Sequence, residues 1–274
     1  MVNVDLHCHC LCSDGFSTPE ELAVTLARAG VNVAALTDHD SLGCQIRFQR
    51  ALRELENEIR FIPGIELGIG EATQYFHFLA YGFDLGNLEF RGYIEWLQRR
   101  MRLKNTLWHS TVRLARMALG TTKAEPVQPG DMTLLAEAAA AFDMVHAAGG
   151  LVFWAHPLVG DRDLSRLTRI LVELKERGLD GIEGYYKPYS PESREMLIEL
   201  ADRHDMLVSG GSDYHGGRRI RPWDPPRDDS PFHFGPTASE LETPGVEMPE
   251  ARFEALDRAL ERARGLPLRP ESGF

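Results

Sequence analysis

The chain has 274 residues, of which 43% are hydrophobic and 26% charged, and its formal net charge is −11. Such a chain folds as a globular protein with a large core, and no stretch has the roughly 18 apolar residues of a membrane span. The excess of 41 acidic over 30 basic residues excludes a general nucleic-acid binder, which needs a basic face. A cytoplasmic location is expected, because no basic segment followed by an apolar segment indicates a signal peptide.

Predicted strands and helices alternate through the first 85 residues. Thr18, Pro19 and Glu21 follow the pattern of a capping box with proline at the first helical position. A helix is therefore predicted from Thr18 to Gly30, and a second one is predicted over residues 41–56. Apolar or alternating runs predict four strands, at residues 2–6, 31–36, 60–66 and 75–83.

The alternation stops at about residue 87, where a long, arginine-rich helical region begins. We interpret residues 87–146 as a short helical insertion, or cap, which divides the remaining domain into 1–86 and 147–274. Three further strands are predicted after it, at residues 151–155, 181–183 and 206–210. Residues 218–245, rich in proline and glycine, read as an extended tail before a final helix over 249–264.

Three of the four cysteines lie close together, at positions 8, 10 and 12. This number and spacing do not indicate the disulfide framework of a secreted protein. Side chains alternate in a strand, so Cys8 and Cys10 are predicted to face away from His7 and His9. We expect Cys8, Cys10 and Cys12 to be small buried thiols, and a structural zinc site is the alternative.

Histidines and carboxylates recur at the ends of the predicted strands. His7 and His9 are two residues apart, so in a strand both point to the same side. Apart from His77, the other candidate residues lie just after the carboxyl ends of their predicted strands, where β/α barrels assemble their sites. They are His39, Glu66, His156, Asp213 and His215. Imidazole nitrogens and carboxylate oxygens suit zinc, manganese or iron, so a metal site is predicted.

Six motifs in matching order resemble the PHP (polymerase and histidinol phosphatase) superfamily. They are His7-x-His9, Ser13-Asp14-Gly15, Thr37-Asp38-His39-Asp40, Gly64-Ile65-Glu66, Ala155-His156-Pro157 and Gly211-Ser212-Asp213-Tyr214-His215. The chain is most similar to small bacterial phosphoesterases that act on nucleoside 3',5'-bisphosphates or short RNA 5' ends. The resemblance covers residues 1–85 and 150–216, and it implies an α/β fold, a distorted (β/α)7 barrel with a trinuclear metal cluster.

The resemblance also implies which residues hold two or three divalent ions, Mn²⁺, Zn²⁺ or Fe²⁺. The first ion is assigned to His7, His9, Glu66 and Asp213. A second ion, which shares Glu66 as a bridge, is assigned to His77 and His156. The third is assigned to Asp14, His39 and His215.

Two interpretations remain open for several residues beside these ligands. Asp38 and Asp40 flank His39, and one of them either fixes the histidine tautomer or is a solvated turn carboxylate. Glu183 either orients a metal ligand or forms a structural ion pair. Cys10 stands where the family usually has threonine, and it is expected to face away from the metals.

The implied reaction is hydrolysis of a phosphate monoester by a hydroxide that bridges the metal ions. Glu66, Asp213, Arg99 and Arg100 are the predicted catalytic residues, the arginines stabilising the added negative charge. The predicted substrate contacts are Arg99, Arg100, Arg102, Lys187 and Arg218, with Arg219 as a further candidate and His233 as a candidate proton donor. The second arginine segment of the bisphosphate phosphatases is not found, so a monophosphate ester, from a nucleotide, short RNA or small metabolite, is expected.

Three other functions remain as alternatives. The same cluster can activate water for amide hydrolysis, which has no use for the arginines of the insertion. A histidinol-phosphate phosphatase differs only in its substrate, and a PHP module in a polymerase can be purely structural. The remaining histidines, His109, His146 and His204, lie on predicted helices and are expected to be ordinary surface or core residues.

Overall fold

The computed structural model describes residues 1–55, 59–71, 74–107, 130–159, 163–216 and 243–265. Its strands are β1 (Val2–Cys8), β2 (Val33–Leu36), β3 (Arg60–Phe61), β4 (Gly64–Glu71), β5 (Gln74–Tyr81), β6 (Leu151–Trp154), β7 (Gly181–Tyr186), β8 (Leu207–Gly211) and β9 (Val246–Met248). Its helices are α1 (Pro19–Arg28), α2 (Gln45–Arg53), α3 (Leu88–Leu107), α4 (Met132–Ala147), α5 (Leu164–Lys175), α6 (Pro191–Arg203) and α7 (Glu250–Ala263).

The described strands form two sheets, in the orders β3-β2-β1-β9 and β4-β5-β6-β7-β8. Most neighbours are parallel, but β9 is antiparallel to β1, and β5 is antiparallel to β4 and β6. The predicted α/β class is confirmed, although neither sheet of the described strands closes on itself. β5 departs from a regular β/α pattern because the link from Glu71 to Gln74 is too short for the crossover that parallel strands need.

Two isolated bridges join the edge strands of the second sheet, β8 and β4, to the ends of the inner strands β1 and β2 of the first sheet. Cys8 pairs with Tyr214 beyond the end of β8, and His39 beyond the end of β2 pairs with Glu66 in β4. Near these bridges the Asp213 amide donates to the His7 carbonyl at 2.7 Å, and the Asp40 amide donates to the Glu66 carbonyl at 2.8 Å. The backbone around the predicted ligands therefore also holds the two sheets together.

The capping box predicted at the start of α1 is present. The Thr18 hydroxyl accepts from the Glu21 amide at 3.2 Å, and the Glu21 carboxylate accepts from the Thr18 amide at 2.8 Å. Pro19 is the first helical residue, and Gly30 just beyond the helix has a φ of 69°. The helix start is thus fixed directly after the loop that carries Asp14.

The two described helices of the predicted insertion pack on the second sheet. Phe90 of α3 and Phe142 of α4 are fully buried in the same hydrophobic core as Phe78 of β5. The rings of Phe78 and Phe142 meet edge to face, with centroids 4.8 Å apart. These helices therefore share the core of the strands that carry Glu66 and His77, and residues 108–129 between them lie outside the described residues.

Two of the predicted elements have wrong boundaries, and one strand was not predicted. The predicted strand 60–66 is two strands, β3 and β4, which belong to different sheets. The helix predicted from residue 41 begins only at Gln45. β9 was missed, because its three residues are too few for a periodic pattern and its strand state depends on pairing with β1.

Cys12 is not the free thiol that the sequence predicted, because it forms a disulfide with Cys44. Cys12 lies in the turn beyond β1, so strand alternation no longer determines where its side chain points. Cys8 and Cys10 are free and buried, as expected. Across the described ranges, no helix combines the length and apolarity that crossing a membrane requires.

Candidate metal centre

The predicted ligands come together where β1, β2, β6 and β8 end. His9, His39, His156, Asp213 and His215 follow these strands directly or within four residues. His7 and Glu66 were expected just past strand ends, but they lie inside β1 and β4 because these strands continue to Cys8 and Glu71. His77 comes from the middle of β5, opposite Gly68, because β5 runs against its neighbours.

Glu66, which is 1% exposed, lies at the centre of the cluster. Its Oε2 atom is 3.2 Å from His7 Nε2, from His9 Nε2 and from His39 Nδ1. Its Oε1 atom is 2.8 Å from His77 Nδ1 and 3.2 Å from His156 Nε2. The two oxygens thus face two different sets of histidines, which is the arrangement of a bridging carboxylate.

Two aspartates extend the cluster on the side of His9. Asp213 Oδ1 is 3.1 Å from His9 Nε2, 3.4 Å from His7 Nε2 and 3.5 Å from His215 Nδ1. Asp14 Oδ1 is 3.1 Å from His215 Nε2, and it is 3.8 Å from both His9 Nδ1 and His39 Nε2. The structure therefore brings all nine sequence-predicted ligands into one continuous cluster.

Donor atoms that lie within 4.8 Å of one another divide the cluster into three groups. They are His7, His9, Glu66 and Asp213; His9, Asp14, His39 and His215; and His39, Glu66 and His77. The first group is the set that the resemblance implied. The second group keeps Asp14, His39 and His215, which the resemblance assigned together, and adds His9. The third adds His39 to Glu66 and His77. His156 Nε2 also lies 3.3 Å from His77 Nδ1 and 3.2 Å from Glu66 Oε1, so the implied set of Glu66, His77 and His156 is close together as well.

The residues present fit divalent cations. Among the described residues, no group makes a hydrogen bond of acceptable geometry to either ring nitrogen of the buried His9, although carboxylate oxygens lie 3.1 and 3.2 Å from its Nε2. Buried polar atoms normally have partners, so one left without a hydrogen bond needs an explanation. A cation bound between His9 and the carboxylates supplies it, and the nitrogen and oxygen donors suit zinc, manganese or iron.

The charges in the cluster are strongly coupled. Burial of His7 opposes its charged form, but Glu183, Glu66 and Asp213 outweigh burial and raise the pKa of His7 well above its usual range. Burial likewise opposes the charge on His9, and the carboxylates of Asp213 and Glu66 raise its pKa to about 9. Burial favours neutral Glu66, but the surrounding histidines hold the pKa of this carboxyl well below its usual range. The carboxylates thus attract positive charge into a buried site, which is what a cation site requires.

Glu183 contacts two of the segments that carry predicted ligands, which favours the reading in which it orients a ligand. Its Oε1 atom is 2.8 Å from His7 Nδ1, and its Oε2 atom accepts from the His156 amide at 2.8 Å. A neutral His7 ring that donates its Nδ1 proton to this carboxylate has its lone pair on Nε2, the atom that faces Glu66 and Asp213. Asp38 and Asp40 instead accept from Cys10 and Gly68 backbone amides, respectively.

The sequence did not identify two polar contacts that support the cluster. The Tyr186 hydroxyl donates to Asp213 Oδ2 at 2.8 Å, so Oδ1 faces the histidines. Asp5 is fully buried and accepts from the amides of His7, Ser212 and Gly245. The sequence feature that could have identified Asp5 is its position two residues before His7, which places both side chains on the same face of β1.

The predicted phosphate contacts are less clearly placed. Arg99 is 72% exposed and pairs with Glu95 at 3.5 Å, whereas Arg100 pairs with Glu137 and lies over the Trp96 ring. Lys187 Nζ donates to the Thr243 carbonyl at 2.7 Å. None of the partners just named is one of the nine predicted ligands. The Arg102 side chain, Arg218, Arg219, His233 and His109 lie outside the described residues.

Comparison with known proteins gives a consistent set of relatives. The chain is 26% identical over 247 residues to a 5'-3' exoribonuclease of Haemophilus influenzae, covering 77% of this chain and 89% of the relative. It is 25% identical over 261 residues to a 3',5'-nucleoside bisphosphate phosphatase of Chromobacterium violaceum, covering 80% and 91%.

Two solved structures share the fold. One, described as an amidohydrolase from Chromobacterium violaceum with bound sulfate and no metal, has a TM-score of 0.65 and 22% identity over 78% of this chain and 88% of that one. A metal-dependent phosphoesterase from Bifidobacterium adolescentis has a TM-score of 0.57 and 24% identity over 79% and 89%. The family profile of the PHP domain matches residues 5–152. The expected family is therefore confirmed, and the chain belongs to the PHP domain family.

Proposed function

We propose that this protein is a metal-dependent phosphoesterase that hydrolyses a phosphate monoester of a nucleotide or another small phosphorylated metabolite. The observation that carries the proposal is the position of Glu66, whose two oxygens face separate sets of histidines. Two relatives with most of their length aligned are named for phosphoester chemistry, on RNA and on nucleoside bisphosphates. The same comparisons support the alternative of amide hydrolysis less well.

In this proposal the nine clustered residues hold two or three divalent ions. His7, His9, Glu66 and Asp213 form one site, and Glu66 is shared with a second site that includes His77 and His156. Asp14, His39 and His215, joined by His9, form the third. When bound, such ions neutralise phosphate oxygens and lower the pKa of a coordinated water towards ~7.

The role of the protein is to hold these donors in fixed orientations. Glu183 keeps the proton of His7 on Nδ1, so Nε2 stays a ligand. Tyr186 holds one oxygen of Asp213 and leaves the other directed at His7 and His9. Because Glu183 also holds the His156 backbone, one carboxylate fixes ligands from β1 and β6 together.

Arg99 and Arg100 of α3 are the proposed phosphate-binding residues. The guanidinium of Arg99 is largely exposed, so an entering phosphate displaces a surface ion pair with Glu95 and a hydrogen bond to the Glu95 carbonyl. Arg100 is less exposed and must exchange Glu137 for the substrate. Guanidinium binds phosphate oxygens in pairs, so either arginine can stabilise the charge that develops on phosphorus.

We also infer that seven strands surround the centre as a distorted barrel with the helical insertion at 87–146. The proposed ring is β1, β2, β4, β5, β6, β7 and β8, in which the two isolated bridges replace regular pairing. Residues 1–86 and 147–274 then form the barrel and its C-terminal segment. The fold similarity to PHP structures supports this arrangement.

The test is a hydrolysis screen of the purified protein with Mn²⁺. The substrates are a nucleoside monophosphate, a nucleoside 3',5'-bisphosphate, histidinol phosphate, a 5'-phosphorylated oligoribonucleotide and an activated anilide. We expect phosphate release from at least one phosphate ester, with no anilide cleavage. His9→Ala should abolish this activity and lower the metal content, whereas His146→Ala, which changes a histidine paired with Asp180 outside the cluster, should retain both. Anilide cleavage without phosphate release would refute the proposal.

A further inference from the structure

A second group of potential metal ligands lies on the same chain segments as part of the histidine cluster. One donor atom from each of Cys10, Cys12, Asp38 and Cys44 lies within 4.8 Å of the others. Cys10 follows His9 and Asp38 precedes His39 in the sequence, but their side chains belong to a different group from the histidines. We call these four residues the thiol cluster, and the proposed phosphoesterase reaction does not use them.

The contacts inside the thiol cluster are close and directional. Asp38 Oδ1 accepts from the Cys10 amide at 2.8 Å and from the Ser13 hydroxyl at 2.6 Å. Asp38 Oδ2 accepts from the Cys10 thiol at 3.0 Å, and the Cys12 amide donates to Cys10 Sγ at 3.4 Å. The remaining two sulfurs, of Cys12 and Cys44, are joined in the disulfide.

Burial distinguishes this cluster from a surface group of cysteines. Cys10 and Asp38 are fully buried, and Cys44 is 2% exposed. Three sulfurs and one buried carboxylate oxygen are a donor set that zinc accepts in tetrahedral sites. Thiolate is a softer ligand than the imidazole and carboxylate donors of the neighbouring centre, which suit manganese and iron as well as zinc.

We propose that the thiol cluster is a zinc site that opens when the Cys12–Cys44 disulfide is reduced. A thiol reductant, two R–SH, breaks the S–S bond, gives the thiols of Cys12 and Cys44, and is itself oxidised to R–S–S–R. Zn²⁺ then replaces the protons of three thiols, Cys10, Cys12 and Cys44. Asp38 Oδ2, which the Cys10 thiol had occupied, becomes the fourth ligand.

The disulfide and the zinc ion are alternative cross-links between the same two segments. Cys12 lies in the turn that continues to Asp14, and Cys44 directly precedes α2 in the segment that follows His39. Either link holds together the segment that carries Asp14 and the segment that follows His39. Zinc therefore maintains the link under reducing conditions, in which the disulfide is lost.

Co²⁺ is the probe that separates the two sites, because only cobalt bound to thiolate gives an intense charge-transfer band in the near ultraviolet. The fully reduced protein is expected to develop this band with one equivalent bound at the thiol cluster. The protein with its disulfide intact should lack it. Asp213→Ala should keep the band while it loses ligation at the histidine centre, so failure of the proposed function and failure of this inference are distinguishable.

Matched variants test the ligand assignment. Cys44→Ser and Cys10→Ser should each weaken or remove the band in reduced protein. Cys8→Ser should keep it, because Cys8 is an equally buried thiol that instead contacts the Ala35 carbonyl. If a variant fails to fold, alkylation of the unaltered reduced protein decides the matter, since Zn²⁺ should protect Cys10, Cys12 and Cys44. A reduced protein with no cobalt–thiolate band, or with no zinc protection of these three thiols, would overturn the inference.

Discussion

Replacing Glu183 by glutamine is expected to weaken metal binding without unfolding the protein. The two oxygens of Glu183 serve two donors, His7 Nδ1 and the His156 amide, each at 2.8 Å. Glutamine has nearly the same shape but only one acceptor oxygen, so its NH₂ group must face one of these donors. If NH₂ faces His7, the ring favours the tautomer with the proton on Nε2, which then cannot bind a metal.

The size of the effect follows from the position of Glu183 behind two ligands. Loss of such a partner typically lowers metal affinity or activity roughly 10- to 100-fold, which corresponds to about 1.4 to 2.8 kcal/mol of binding free energy. Competition of the apo-protein with a chromophoric chelator measures this for Mn²⁺ or Zn²⁺. Glu247→Gln, an exposed carboxylate change in β9, is the matched control and should bind like the parent. Unchanged affinity in Glu183→Gln would refute the orienting role.

Three further changes test the fold and its electrostatics. Phe142→Ala should lower the free energy of unfolding by about 3 to 5 kcal/mol, because its buried ring packs on Phe78; a denaturant-unfolding loss below 1 kcal/mol would contradict that packing. Thr18→Ala should lower it by about 1 kcal/mol, and an unchanged melting temperature would argue against the capping box. The hydrogen bond to Asp180 raises the pKa of His146 above its usual value of 6.5. The protonated pair therefore stabilises the folded state at pH values below 6.5, and this contribution is lost as pH rises through the folded-state pKa. His146→Ala should therefore destabilise the protein more at pH 6 than at pH 9, and equal losses at both would count against the pair.

Much of the candidate metal centre could be predicted from the sequence, because its residues lie at positions that follow simple geometric rules. Two-residue spacing placed His7 and His9 on one side of β1, and strand ends located most of the others. The grouping of ligands could not be derived that way, because it depends on sheet-to-sheet contacts such as the bridge between His39 and Glu66. The resemblance supplied a grouping whose members lie close together in the structure, where His9 and His39 each belong to two of the groups.

The features that were not predicted from the sequence depend on pairing between residues that are far apart in the chain. β9 is three residues long and becomes a strand only beside β1. Cys12 and Cys44 are 32 residues apart, and no spacing rule connects a turn after one strand with the start of a distant helix. Tyr186 and Asp5 are ordinary in the sequence, and their importance comes from partners on other strands.

Anomalous diffraction from crystals of the Mn²⁺-loaded protein tests the proposed metal centre most directly. The predicted result is two or three anomalous peaks among the nine clustered ligands, with Glu66 bridging two of them at coordination distances of about 2.0 to 2.3 Å. Peaks confined to other parts of the protein, or a fully loaded crystal with no peak beside either Glu66 oxygen, would contradict it.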